Sequence, residues 1–187
     1  MGKTNILVVV DMQNDFIDGS LGTPEAEAIV ANVAKKIKNF DGAIVYTQDT
    51  HQSNYLNTPE GQHLPTEHCI QGTTGWEISK TVMTALNKKG ICFNVRKTTF
   101  GDIHYLFDII SRFGTNYNDL NIEIVGLCTD ICVITNALIL KTQFPAAEIT
   151  VDASCCAGTS PSNHSAALQV MRACQINVIN ETSADGN

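Results

Sequence analysis

The apolar stretch ILVVV at residues 6–10, followed at once by Asp11, decides the fold of this chain. Its β-branched residues are continuous rather than alternating with polar ones, which is typical of a strand covered on both faces. Strands of that kind form parallel sheets with helices packed on either side. The stretch therefore predicts the first strand of an α/β protein, with Asp11 at its carboxyl end.

Strands and helices alternate along the rest of the sequence. Short apolar runs predict five further strands at residues 43–47, 91–95, 121–127, 148–152 and 176–179. Apolar residues at helical spacing predict helices at residues 24–39, 77–88, 103–113, 130–143 and 161–174. This alternation predicts a three-layer α-β-α fold, with a doubly wound, six-stranded, Rossmann-like parallel sheet. We expect a single domain over residues 1–187, with a frayed polar tail at residues 181–187.

Composition excludes several classes of protein. The 187 residues are 43% hydrophobic and 17% charged, which excludes a disordered chain and fits one domain. The net charge of -7 argues against nucleic-acid binding and against attachment to anionic membranes. No glycine-rich dinucleotide fingerprint follows the first strand, so we expect no organic cofactor of the nicotinamide type.

The seven cysteines favour a reduced protein. Their number is odd and no CxxC pair occurs, which argues against a disulfide framework, a zinc ribbon and a thioredoxin motif. The first apolar run is too short for a signal peptide or a membrane span. We therefore predict a cytoplasmic protein with mostly free thiols.

Three side chains are placed to form a nucleophilic site. We assume the common doubly wound strand order 3-2-1-4-5-6, in which strands one and four are neighbours. Asp11 and Cys132 would then face each other, with Lys97 within reach. Cys132 follows strand four at a helix start, where the helix dipole is expected to lower the pKa of its thiol. Asp11 could move the thiol proton, and amides near Cys128 and Cys132 could form an oxyanion hole. The alternative is that Cys132 is an ordinary buried cysteine.

Five short segments of the sequence carry a family resemblance, namely residues 11–16, 49–51, 68–73, 96–101 and 126–133. In these segments the chain resembles the isochorismatase-like cysteine hydrolases, and most of all the nicotinamidase and pyrazinamidase type of amidase. The resemblance implies a catalytic triad of Asp11, Lys97 and Cys132, and a cis peptide bond before Cys128. It also implies cleavage of a C–N bond through a thioester at Cys132, as well as homo-oligomerisation.

The long connection at residues 48–76 carries a second group of candidate residues. The candidates are two histidines and two carboxylates, namely Asp49, His51, Glu60 and His68. Side chains of these types suit one divalent transition metal, which could be Zn²⁺, Fe²⁺ or Mn²⁺. In the family that this chain resembles, such a metal polarises the pyridine nitrogen of the substrate. Many members have a histidine where this chain has Asn57 and an aromatic residue where it has Leu64. Phe16 is a candidate either to stack on a planar substrate or to pack in the core. The alternative for Asp49 and His51 is that they only form hydrogen bonds within a polar loop.

The leading hypothesis is a metal-dependent cysteine amidohydrolase acting on a small amide, most of all nicotinamide, in NAD salvage. A second hypothesis keeps the triad but has a carbamoyl or ureido amide as substrate and no metal. A third is a non-catalytic binding or thiol-sensing protein on the same scaffold. The sequence assigns no role to the adjacent pair Cys155 and Cys156.

Overall fold

The computed structural model describes residues 3–113 and 117–181. Its sheet has six parallel strands in the order β3-β2-β1-β4-β5-β6, which confirms the predicted doubly wound order. The strands are β1 Thr4–Val10, β2 Ala43–Asp49, β3 Cys92–Lys97, β4 Leu120–Leu127, β5 Glu148–Ala157 and β6 Asn177–Ile179. The α-helices of the described residues are α1 Asn14–Ile17, α2 Pro24–Asn39, α3 Pro59–His63, α4 Lys80–Lys89, α5 Tyr105–Ser111, α6 Ile134–Gln143 and α7 Pro161–Ala173.

Helices cover both faces of the sheet, as the three-layer prediction requires. On one face the apolar side chains of α5, α6 and α7 form a continuous buried cluster with the strands. On the other face α2 and α4 form a second buried cluster. β1 lies in the middle and its residues 6–10 are almost completely buried, which explains why that run carries no polar residue. The sheet and its two helical layers form one domain.

The bounds predicted for α2 are confirmed. The Thr23 side-chain oxygen accepts a hydrogen bond of 3.1 Å from the Ala26 amide, and Pro24 occupies the first helical position. Both features are signals of a helix start that can be read from sequence.

Two other predicted helices begin later than their apolar spacing suggests. The helix predicted at residues 77–88 starts at Lys80, because Ile78 pairs with Gln13 in an isolated antiparallel bridge and Ser79 caps the helix. The helix predicted at residues 103–113 starts at Tyr105, because the Asp102 carboxylate accepts hydrogen bonds from backbone amides of the first turn.

Three further features differ from prediction. β5 continues to Ala157 rather than ending near Asp152, because the Asp152 carboxylate is neutralised by Lys36 at 2.7 Å and can stay buried inside the strand. The short helix α1 was not predicted. The connection at residues 48–76 holds α3 and a 3₁₀ turn at Tyr55–Asn57.

The predicted frayed tail lies, apart from Glu181, outside the described residues. Among the helices of the described ranges, none combines the length and the apolar character that a membrane crossing needs.

Candidate active site

Reactive and charged side chains at the ends of β1, β2, β3 and β4, or shortly after them, meet at the carboxyl edge of the sheet. β1 pairs with both β2 and β4, so the end of the chain's first strand lies at the point where the strand order reverses. Asp49 and Lys97 are direct neighbours across β2 and β3. The topology therefore brings together Asp11, Asp49, Lys97 and Cys132, although long stretches of sequence separate them.

The Lys97 ammonium group lies at the centre of this cluster. Its Nζ is 2.7 Å from Asp11 Oδ2, 3.2 Å from Asp49 Oδ1 and 3.5 Å from Cys132 Sγ. All four residues are buried. The Thr47 hydroxyl donates a hydrogen bond of 2.7 Å to Asp11 Oδ1, which fixes the carboxylate toward the lysine and the thiol. The three residues predicted as a triad are therefore in contact through Lys97.

Burial is the largest single influence on the pKa of each of these groups, but at Lys97 the neighbouring charges together outweigh it. It raises the pKa of Asp11 despite the neighbouring Lys97. Burial lowers the pKa of Lys97, but the attraction of Asp11, Cys132 and Asp49 outweighs this effect and raises that pKa well above its usual value. Lys97 therefore stays cationic, and burial moves the pKa of Asp11 in the direction that a proton-exchanging carboxyl group needs.

The lowered pKa predicted for Cys132 is wrong. Burial raises the pKa of this thiol well above its usual value, although Lys97 acts in the opposite direction. The prediction assumed that Cys132 lies at the start of an α-helix. In the structure Cys132 belongs to a π-helical turn, Thr129–Val133, that precedes α6, and its side chain is buried. Burial beside the carboxylates of Asp11 and Asp49 therefore favours the neutral thiol at Cys132.

The segment that leads into Cys132 has an unusual backbone. The Leu127–Cys128 peptide bond is cis, which confirms the bond that the family resemblance implied. Gly126 just before it has a φ of 122°, and a Cβ atom there would lie 2.1 Å from the Val10 carbonyl oxygen. Only glycine fits this position, where β4 passes close to β1. The close approach of Gly126 to the Val10 backbone thus helps to position the segment that carries Cys128 and Cys132.

The same segment is tied to the loop between β5 and α7. The Asp130 carboxylate accepts hydrogen bonds from the Thr159 amide, at 2.8 Å, and from its hydroxyl, at 2.5 Å. Thr129 Oγ1 and His164 Nδ1 are 2.8 Å apart. Neither Asp130 nor His164 is among the site residues predicted from sequence. Their hydrogen bonds link the segment that leads into Cys132 to the start of α7 and the loop before it.

The candidate metal ligands converge beside Lys97. One ligand atom from each of Asp49, His51 and His68 lies within 4.8 Å of the others, and all three residues are buried. Glu60 approaches from α3, with its Oε1 3.7 Å from His51 Nε2 and 3.9 Å from His68 Nε2. The four predicted ligands therefore face one point, with Glu60 on the more exposed side.

The donor atoms have the orientation that a divalent cation needs. His51 Nε2 is buried without a hydrogen-bond partner and lies 3.0 Å from Asp49 Oδ2. His68 Nδ1 is 2.9 Å from the Thr66 carbonyl oxygen, so the proton is placed on Nδ1 and the Nε2 lone pair is free to bind a metal. Two imidazoles and two carboxylates fit Zn²⁺, Fe²⁺ or Mn²⁺.

Two residues that sequence reasoning did not single out hold this site in shape. Gln13 Oε1 accepts a hydrogen bond of 2.7 Å from the Asp49 amide, and its Nε2 donates to the Asp49 and Trp76 carbonyls. Asp15 Oδ2 accepts a hydrogen bond of 2.7 Å from the Cys69 amide. Both belong to the stretch after β1 that carried the family resemblance, which was the available signal for them.

A cavity of about 370 Å³ opens above Cys132 and the metal-ligand cluster. Phe16 lines it, and its ring centroid is 5.5 Å from that of His68. Cys128 also lines the cavity, next to Cys132. The cavity can therefore hold a small ligand in contact with the thiol, the candidate ligands and an aromatic ring at the same time.

Apart from Cys128 and Cys132, no cysteine lines this cavity in the part of the chain that the structure describes. All seven are free thiols. Cys155 and Cys156 are buried on opposite faces of β5, one in each apolar cluster, and neither lines the cavity above Cys132. The adjacent pair thus packs as two small apolar side chains.

Known proteins resemble this chain in sequence over most of its length. The sequence profile described as the isochorismatase domain matches residues 5–183. The nicotinamidase/pyrazinamidase of Mycobacterium tuberculosis is 25% identical over 186 residues, covering 92% of this chain and 97% of that protein. The nicotinamidase of Saccharomyces cerevisiae is 26% identical over 172 residues, covering 71% of this chain and 79% of that protein.

Solved structures share the fold. The pyrazinamidase of Pyrococcus horikoshii in complex with zinc has a TM-score of 0.74 at 23% identity, covering 95% of this chain and 99% of the other. The yeast nicotinamidase bound to the inhibitor nicotinaldehyde has a TM-score of 0.81 at 21% identity, covering 95% of this chain and 100% of the other. These likenesses confirm the predicted isochorismatase-like α/β fold.

Proposed function

The chain belongs to the isochorismatase domain family, and from this premise we propose that it is a cysteine amidohydrolase converting nicotinamide to nicotinate and ammonia. The observation that carries the proposal is the contact of Lys97 with both Asp11 and Cys132, next to a three-residue candidate metal site. The two curated relatives that are nicotinamidases support the same substrate. Nicotinate produced in this way would supply NAD salvage.

In the first half of the reaction, Cys132 forms a thioester. The Asp11 carboxylate takes the thiol proton as Sγ attacks the carbonyl carbon, and the carbonyl π electrons move to the oxygen. Backbone amides of Cys128 and Cys132 stabilise that oxyanion. As the adduct collapses, the C–N bond breaks and Asp11 passes its proton to the leaving nitrogen, which departs as ammonia.

In the second half, water releases the acid. Asp11 takes a proton from the water as its oxygen attacks the thioester carbon. The C–S bond then breaks, and Asp11 returns the proton to Cys132 Sγ. Lys97 stays cationic throughout and keeps the Asp11 carboxylate next to the sulfur, since it contacts both.

Asp49, His51, Glu60 and His68 would hold one divalent metal, and Phe16 would stack on the substrate ring. Bound there, the metal would act as a Lewis acid toward the ring nitrogen of the substrate. Lys97 connects the two halves of the site, because its Nζ contacts Asp49 as well as Asp11. The protein thereby holds the position of the ring and the position of the nucleophile relative to each other.

An ammonia-release screen tests the proposed function. Purified protein is incubated with nicotinamide, pyrazinamide and a set of carbamoyl and ureido amides, each with and without a chelator. We expect hydrolysis of nicotinamide that the chelator suppresses. Chelator-resistant hydrolysis confined to carbamoyl or ureido amides would favour the metal-free alternative, and no hydrolysis of any amide would favour a binding or sensing protein.

Removing one ligand should empty the metal site. For His68→Ala we expect metal affinity to fall by more than about 100-fold, because even the loss of a residue that only orients a metal ligand costs up to about that much. The measurement is the metal content of purified protein by elemental analysis, together with the rise in Tm on adding Zn²⁺. His63→Ala is the matched control, since His63 is exposed on the same connection. Equal metal content in the two variants would contradict the proposed ligand set.

A further inference from the structure

The cavity above Cys132 has a buried end and an open end. At the buried end, Cys132 and His68 are 5% and 3% exposed. At the open end, the large apolar side chains of Leu64 and Phe100 also line the cavity but are 38% and 49% exposed. Large apolar side chains left exposed at the mouth of a cavity are typical of surfaces that contact a ligand.

The walls between these ends offer little to a polar group. Thr159 Oγ1 donates to Asp130 and accepts a hydrogen bond from Asn163, so its one hydroxyl proton is not free for a ligand. Thr23 Oγ1 accepts the capping bond at the start of α2. Most of the other side chains away from the reactive end are apolar, namely Phe16, Leu21, Ala26 and Ile131.

The cavity also offers no cationic side chain to an anionic substituent. Among the described residues that line it, none is lysine or arginine, and its carboxylates Asp49 and Glu60 are the proposed metal ligands. A phosphate or carboxylate on the substrate would lose its hydration without gaining a cationic partner. The cavity therefore disfavours nucleotides and acids as substrates.

The size of the cavity points to a substrate larger than nicotinamide. Its volume of about 370 Å³ lies in the range of pockets that enclose drug-sized ligands, and unsubstituted nicotinamide is much smaller than these. Resting on the proposed amidase function, we infer that the preferred substrate is an aromatic primary carboxamide whose ring carries an apolar substituent, held between Leu64 and Phe100.

The test is a homologous series of amides. Steady-state kinetics are measured on nicotinamide and on derivatives with methyl, ethyl or propyl at the ring carbon meta or para to the carboxamide. At one of these positions we expect KM to fall about 3- to 4-fold for each added carbon until the space is filled. A carboxylate of similar size at that position should raise KM instead.

A pair of leucine variants assigns the effect to the cavity mouth. Leu64→Asn should reduce the gain for each added carbon to less than about 2-fold, because it replaces apolar contact surface with a polar group. Leu56→Asn is the matched control, since Leu56 is equally an exposed leucine of the same connection but does not line the cavity. It should keep the gain for each added carbon that the unmodified protein shows.

The outcomes separate this inference from the function on which it rests. A KM that stays flat or rises along the alkyl series at both positions, with nicotinamide still hydrolysed, would overturn the inference and leave the amidase function standing. A preference for the carboxylate derivative would overturn it as well. Failure to hydrolyse any member, nicotinamide included, would instead remove the proposed function and the inference together.

Discussion

Cys132→Ala is expected to reduce ammonia release from nicotinamide by at least about 10⁴-fold, since removing the nucleophile of a covalent mechanism abolishes the step that all later steps need. The substitution removes one sulfur atom from a residue that is 5% exposed and leaves Lys97 paired with Asp11 and Asp49. The fold should therefore survive. The measurement is kcat for ammonia release, with the Tm and the metal content recorded on the same preparation.

Cys174→Ala is the matched control for this variant. Cys174 is an exposed free thiol at the end of α7, away from the cavity, so its loss should leave kcat unchanged. If Cys132→Ala kept near-normal activity while its Tm and metal content were normal, thioester chemistry at Cys132 would be excluded. Trapping the thioester in the unmodified protein by acid quench and mass spectrometry gives a second, independent reading of the same step.

The fold could be predicted because its strands are unambiguous in sequence. The run at residues 6–10 is continuous and apolar, and it became the fully buried central strand. The alternation of strands and helices indicated a parallel sheet, and the strand order was assumed to be the common doubly wound one, which the structure has. In that order Asp11, Lys97 and Cys132 lie at one edge of the sheet. The predicted metal ligands came together because Asp49 ends β2 and the connection after it folds back over that edge.

Other features could not be predicted because they depend on contacts between distant segments. Asp130 has the spacing of a helix-start acid, but its partner Thr159 lies in a loop that only the folded sheet brings near. The direction of the pKa shift of Cys132 depends on how deeply the turn is buried, and helix position alone does not determine this. Asp152 shows the same limit, since its burial inside β5 depends on Lys36 of α2.

Replacing Lys97 with methionine is expected to abolish activity and to destabilise the protein. The Lys97 side chain is 1% exposed, and its ammonium group is the cation shared by Asp11 and Asp49. Removing one partner of a buried ion pair leaves an uncompensated charge, which costs about 3–5 kcal/mol in the free energy of unfolding. Urea unfolding gives that free energy, and the ammonia assay gives the loss of activity. Lys80→Met is the control, because Lys80 is an exposed lysine of α4.

The double variant Asp11→Asn with Lys97→Met separates the electrostatic role of Lys97 from its catalytic role. Removing the Asp11 carboxylate together with the cation should recover part of the lost unfolding free energy. The reason is that residue 11 is then neutral, and only the Asp49 carboxylate has lost the lysine cation. Activity should not return, since neither a proton acceptor for Cys132 nor a cation beside it remains. Lys97→Met with unchanged stability would contradict the buried ion pair. A double variant that regained activity would show that Asp11 and Lys97 only stabilise the fold, and it would leave Cys132 without the proton acceptor that the mechanism assigns to it.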